Sequence, residues 1–192
     1  MNKHPAMTSD YLSMLMILAL ALLVAAGHSE CHPFVESQIP GHLGRNEEKL
    51  THLHFYDLLV GPNKTSVKVA PANPGSPLAF GIVTVTDEIL TNGPDIYSNV
   101  IGRGQGTYAF ASMGELVLAA TVNYVFLVGE YNGSYISVVG RDPADEKKRE
   151  LAIVGGGGLF RLARGYVELT TYSIDLETGN SIIDGNFYVY QY

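Results

Sequence analysis

Asp57 is the residue in this sequence best placed for acid or base chemistry. In the run LHFYDLL a two-residue strand period puts it on one face with Leu53, Phe55 and Leu59. If that face is an interior, desolvation raises the pKa of the carboxyl. It then stays protonated in mildly acidic surroundings and can give a proton to a bound ligand or take one back. An outward or hydrogen-bonded structural aspartate is the other reading of the same spacing. A second pair is Asp142, ahead of Pro143 in the turn-like stretch Val139-Gly140-Arg141-Asp142-Pro143, and Arg149, which enters the next apolar run. At the two ends of one loop they can clamp the polar end of a ligand at a mouth, or form a surface ion pair of little energetic weight. Spacing leaves both open.

Other chemistry is sparse. Cys-x-x-Cys, His-Glu-x-x-His and Gly-x-Ser-x-Gly are all absent from the sequence. His52 and His54 share a strand face and could touch a metal, but no third ligand is evident nearby, so a pair of surface histidines is expected, with no metal and no cofactor. Neither glycine cluster reads as a nucleotide loop. Gly102-Arg103-Gly104-Gln105-Gly106 lacks the third spacing of a dinucleotide fingerprint and opens no helix, and Gly155 to Gly158 leads into Leu159 and Phe160 with no Lys-Ser/Thr. The net charge of −7 argues against a phosphate-binding surface, so nucleic acid is not an expected partner.

The elements that must carry these groups are strands. From Leu50 onward, short runs rich in Val, Ile, Leu, Tyr, Phe and Thr alternate with Gly, Pro, Asn and Asp. Strands are predicted over 51–60, 66–70, 79–90, 98–112, 115–128, 134–140, 149–154, 160–176 and 181–191, the last two flanking the hairpin signal Glu177-Thr178-Gly179-Asn180. So many successive strands on short turns predict an antiparallel sheet, and closure into a barrel removes its exposed edges. At about eight strands the interior holds packed side chains or one small ligand. Glycines inside the runs mark bulges and bends that help closure. The apolar run Val117 to Val128 is a candidate outer face for a neighbouring copy.

The N-terminus has the order of a signal peptide over residues 1–27: Lys3 and His4, an apolar run from Leu12 to Ala26, then small residues. The run is shorter than the roughly 20 apolar residues of a membrane span. Residues 28–49 mix Pro, Gly, His and charge and read as a flexible extension, leaving 50–192 as one domain. The single cysteine, Cys31, makes no internal disulfide. The sequons Asn63-Lys64-Thr65 and Asn132-Gly133-Ser134 lie in turn-like stretches and, in an exported chain, make Asn63 and Asn132 glycosylation candidates.

The stretches FGIVTVTDEILT, SNVIGRGQGTYAFAS, EYNGSYISVVGRDP and RELAIVGGGGLFRLARGYVELTTY resemble the plant dirigent proteins, in order, from about Leu50 to Tyr192. The most specific elements are Gly-Arg-x-Gln-Gly at 102–106 and the glycine-run block at 155–166. The resemblance implies an all-β, eight-stranded antiparallel up-and-down barrel of the allene-oxide-cyclase-like kind. It implies a homo-oligomer, usually a trimer and with a dimer left open, secreted to the apoplast. Members steer coupling of monolignol phenoxy radicals, such as those of coniferyl alcohol, made by a separate laccase or peroxidase. Holding the radicals in one geometry replaces unselective coupling, as proximity effects require. Some dirigent-like barrels instead dehydrate and cyclise isoflavonoid alcohols, and a defence-related cell-wall binding protein is a third option. Carried over by position, the pocket carboxylates are Asp57 and Asp142, the pocket arginine is Arg149, and the matching tyrosine and threonine are Tyr108 and Thr171. Two positions depart from the family pattern: Tyr56 stands where His is usual, which bears on pocket polarity, and Gly157 stands where Thr is usual, in a turn.

Overall fold

A computed structural model describes residues 46–191 apart from Ile96. The expected signal peptide at 1–27, most of the expected extension and Cys31 lie outside the described residues. Nine strands follow one another: β1 (Asn46–Asp57), β2 (Ser66–Ala70), β3 (Val83–Thr91), β4 (Val100–Phe110), β5 (Val117–Phe126), β6 (Tyr135–Pro143), β7 (Arg149–Gly157), β8 (Arg164–Ile174) and β9 (Ser181–Gln191). The first strand thus starts at Asn46, inside the segment read as extension. Its opening residues are polar, and what makes them a strand is pairing, since Asn46 sits opposite Gln191 of β9.

All pairings are antiparallel and run in the order β1-β9-β8-β7-β6-β5-β4-β3-β2, with β1 also pairing β3. His54 to Tyr56 of β1 take the end of β3 at Ile89 to Thr91, while β2 takes the beginning of the same β3 edge. Two strands therefore share one position, and nine strands close an eight-stranded barrel with no long free edge. The β8–β9 hairpin shows how local chemistry sets this up. Gly179 at φ 77° donates its N–H to the Asp175 carbonyl at 2.7 Å, and the Asp175 N–H reaches the Asn180 carbonyl at 2.9 Å.

Two stretches differ from the sequence reading. Asp142 and Pro143 are not in a turn. They end β6, opposite Leu118 and Val117 of β5, where a proline costs no interior ladder bond. The run Val117 to Val128 is divided by its alternation: Val122, Tyr124 and Phe126 point into the core, while Leu127 and Val128 at its end are exposed. Other exposed valines include Val67, Val69 and Val85, which stand together on β2 and β3.

One end of the barrel is packed solid, with Phe160 between Phe126 at 5.6 Å and Tyr131 at 5.2 Å, ring centroid to centroid. Midway, Tyr124 lies 4.6 Å from Phe55 and 5.1 Å from Phe187, and these three rings form a floor. Gly185 makes room for that floor, because a Cβ there would lie 2.6 Å from Phe55 Cε2. Above it the barrel is hollow.

Candidate functional site

The hollow end is a cavity of about 290 Å³, open at one mouth. Most of its wall is apolar, with Leu116, Leu118 and Ala120 of β5 and its approach, Val138, Leu151, Leu169 and Ile183. All five residues singled out as a site, Asp57, Tyr108, Asp142, Arg149 and Thr171, line it. Strand period explains each: Leu53, Phe55 and Asp57 alternate inward on β1, so the interior reading of Asp57 holds and the outward one does not.

The polar groups form two clusters. In the first, the Tyr108 hydroxyl donates to Asp57 Oδ2 at 2.8 Å. Asp57 Oδ1 is buried without a hydrogen-bond partner, the nearby Ser66 hydroxyl being bonded to Thr86 at 2.7 Å. Burial raises the Asp57 carboxyl above its ordinary pKa, against the lowering pull of the Ser66 and Tyr108 hydroxyls and of Lys68 at the mouth. Burial and the neighbouring Asp57 push the Tyr108 phenol upward, so Tyr108 keeps its proton and remains a donor.

In the second cluster, Arg149 Nη1 lies 3.4 Å from Asp142 Oδ1, and Arg149 Nη2 donates to Thr171 Oγ1 at 3.1 Å. Both charged residues are buried, so the surface ion-pair alternative is set aside. Burial raises the Asp142 carboxyl, with the Arg149 charge acting against it. Asp142 Oδ1 and Arg149 Nε make no hydrogen bond. Buried polar atoms are nearly always satisfied in folded proteins, so unpartnered ones facing a cavity are what a polar ligand would satisfy. Asp57 on β1 and Asp142 on β6 lie four strands apart whichever way the barrel is followed, on opposite walls.

Glu88 was not anticipated from the sequence. It lines the cavity from β3 and is 8% exposed. Burial, then the charges of Asp57 and Asp142, push its carboxyl up to about 8, with the Thr86 hydroxyl acting in the lowering direction. Gly104 on the neighbouring strand leaves it space: a Cβ there would stand 3.0 Å from Glu88 Oε2 and 3.1 Å from Tyr124 Cε1.

The two departures from the family pattern fall elsewhere. Tyr56 is buried on the face of β1 opposite Asp57 and is not part of the cavity lining, so it does not set cavity polarity directly. At Gly157 a Cβ would come within 2.2 Å of Tyr135 Cε1, so the Tyr135 ring fills the space a larger residue would take.

The histidine pair is only half as expected. His52 is exposed at a bulge with φ 55°, but His54 is buried, with Nε2 3.9 Å from Asp184 Oδ1 of the facing strand. Among the described residues no three His, Cys, Asp or Glu side chains are grouped to hold a metal ion. Asn63 and Asn132 are both exposed. The third residues of their sequons are not, for Thr65 Oγ1 donates to the Tyr56 carbonyl at 2.7 Å and Ser134 Oγ accepts from the Leu159 N–H at 3.1 Å.

A family model described as dirigent-like protein matches residues 50–190. Dirigent protein 21 of Arabidopsis thaliana is 41% identical over 191 residues, which cover 96% of this chain and 100% of that protein. Pterocarpan synthase 1 of Glycyrrhiza echinata is 38% identical over 190 residues, covering 96% of this chain and 98% of the relative. The solved structure of the pterocarpan synthase dirigent protein GePTS1 superposes with a TM-score of 0.73 at 36% identity, over 80% of this chain and 89% of that one.

Proposed function

This chain belongs to the dirigent family, and from that premise we propose that it binds a small phenolic molecule inside the barrel and fixes the geometry of one bond-forming step. The leading reading is stereoselective coupling of monolignol phenoxy radicals such as those of coniferyl alcohol. An external laccase or peroxidase makes the radicals and the protein yields an optically active lignan. One observation carries it: two carboxyls, the half-buried Asp57 and the buried Asp142, face an apolar cavity from opposite walls, each with an oxygen that makes no hydrogen bond.

In this mechanism the apolar wall and the Phe55 and Tyr124 rings hold the aromatic part of the ligand. Arg149, steadied by Thr171, orients a phenolic or hydroxyl oxygen. Coupling of two radicals leaves a quinone methide. One carboxyl protonates its carbonyl oxygen while the other takes the proton of the attacking hydroxyl, so no net proton is consumed. Selectivity comes from holding the reacting faces in one orientation.

A second reading is favoured by a specific finding, the likeness to pterocarpan synthases in sequence and in solved structure. Here the protein is itself a dehydratase acting on an isoflavonoid alcohol. A protonated cavity acid gives its proton to the departing hydroxyl, water leaves, and a phenol closes the ring as its proton passes to the vacated carboxylate. The raised pKa of Asp57 suits that task.

For the protein in its setting we propose secretion to the apoplast and glycosylation at Asn63 or Asn132, supported by the signal-like N-terminus and the exposure of both asparagines. A homotrimer is supported by the apolar outer face of β2 and β3.

The deciding experiment is chiral chromatography of the products a laccase forms from coniferyl alcohol with the protein, without it, and with Asp57→Ala. Alongside runs an isoflavonoid alcohol incubated with no oxidase. Enantiomeric excess that needs both laccase and Asp57 carries the coupling reading. Racemic product in every laccase sample, with ring-closed product in the oxidase-free sample, replaces it by the dehydratase.

A further inference from the structure

Three carboxyl groups reach this cavity, and they are not equally served. Asp142 has the Arg149 guanidinium, and Asp57 has the Tyr108 hydroxyl with Lys68 at the mouth. The ion pairs found among the described residues leave Glu88 out, and the hydroxyl beside it is that of Thr86 on its own strand. It also stands beside Tyr124 in the aromatic floor, directly opposite Gly104 of the paired strand. A third anion in so apolar a space, with two carboxyls already facing it, is disfavoured both by desolvation and by like charge.

Resting on the reading of this cavity as a phenolic-ligand site, we propose that Glu88 is a further specificity-determining residue. It is a neutral carboxylic acid at the cavity floor whose O–H donates to an uncharged oxygen at the deep end of the ligand, and so selects which end enters first. The protonation state decides the chemistry of recognition, because a carboxylate offers only acceptors whereas the acid offers a donor. The ligand end it takes is an aromatic ring bearing an ether, carbonyl or un-ionised phenolic oxygen, with the ring against Phe55 and Tyr124. Asp57 and Asp142 then act on the part of the ligand nearer the mouth.

The groups facing Glu88 from the surrounding strands are Asp57 of β1, Lys68 of β2, Tyr108 of β4, Tyr124 of β5, Asp142 of β6 and Arg149 of β7. Both tyrosines are pushed upward by burial, away from the window in which Glu88 loses its proton. A change in ligand affinity between pH values just below and just above 8 that Glu88→Gln abolishes therefore reports Glu88.

The test has two arms. In the first, wild-type protein labelled with carbon-13 glutamate is followed by infrared spectroscopy. A protonated glutamic-acid carbonyl band is expected near neutral pH and is expected to vanish about one to two pH units above the Glu88 value. Absence of that band near neutral pH overturns the proposal, and this arm needs no variant. In the second, calorimetry measures binding of the methyl ether of coniferyl alcohol, which cannot itself ionise. Wild type is expected to lose affinity about tenfold between roughly pH 6 and 9, and Glu88→Gln to bind a few-fold more weakly at pH 6 but lose less than about twofold over the same range. Equal pH dependence in the two proteins, or no binding by wild type at pH 6, overturns it. Failure of the coupling and dehydration assays would remove the proposed function while leaving both arms readable.

Discussion

The Tyr108 hydroxyl donates to the Asp57 carboxylate at 2.8 Å although β1 and β4 are not neighbours, the two side chains meeting in the interior with β3 between their strands. This bond stabilises the charged form of an acid whose pKa burial raises. Tyr108→Phe therefore raises the Asp57 pKa further. Whichever limb of the pH–activity profile belongs to Asp57 is expected to move to higher pH, with activity at the optimum down roughly tenfold. A profile that keeps its shape in Tyr108→Phe would show that Asp57 is not the titrating group.

Arg149 is 5% exposed and is the cation that faces Asp142. Arg149→Met strands a buried carboxylate and is expected to cost about 3 kcal/mol in urea unfolding at neutral pH. The loss should shrink in mild acid, where Asp142 takes up a proton and no longer needs a partner. Adding Asp142→Leu to the same chain is expected to recover much of the stability. A loss independent of both pH and the second substitution would assign Arg149 a packing role instead.

The Glu88 carboxyl is pushed up to about 8 from an ordinary 4.5, so between those values the folded state holds more protons than the unfolded chain. The sign follows directly: stability is fully present below the lower value and declines as pH rises through the upper one. Glu88→Gln removes this dependence, so its stability relative to wild type should grow steadily with pH across that window in urea titrations. A difference constant with pH would mean that Glu88 titrates alike in both states.

Phe55 sits over Gly185, where a Cβ would meet two ring atoms at 2.6 and 2.7 Å, and the ring is held by Tyr124 and Phe187. Gly185→Ala must displace the cavity floor. It is expected to destabilise by about 2 kcal/mol in thermal or urea unfolding, the range seen for overpacked cores, and to weaken ligand binding as well.

Removing either sequon can be done at two positions with different consequences. In protein made without glycans, Asn63→Gln is expected to leave stability within about 0.5 kcal/mol of wild type, as exposed substitutions do. Thr65→Val should cost about 1 to 2 kcal/mol, because Thr65 Oγ1 both donates to the Tyr56 carbonyl and accepts from the Leu58 N–H. Equal melting temperatures for the two variants would contradict the staple assigned to Thr65.

The sequence by itself determined the strands and the family. Glycine, proline and asparagine punctuate β-rich runs so regularly that each of the nine strands overlaps a predicted run, and Asp57 shares one face with Leu53 and Phe55 as the period implies. These features are local: a turn residue or a two-residue alternation carries its meaning within a few positions. What only the tertiary structure decided is which face of each strand is inside. On β3 the alternation separates Thr84, Thr86, Glu88 and Leu90 from Val83, Val85, Asp87 and Ile89, and ordinary polarity would send the first set outward. Instead Thr84 is 0% exposed and Val85 46% exposed, because the side of β3 that carries Glu88 into the cavity is the inner one. Period fixes the partition of a strand and not its sign. The sign is set by closure of the barrel, which turns Glu88 into the same cavity as Asp57 and Asp142.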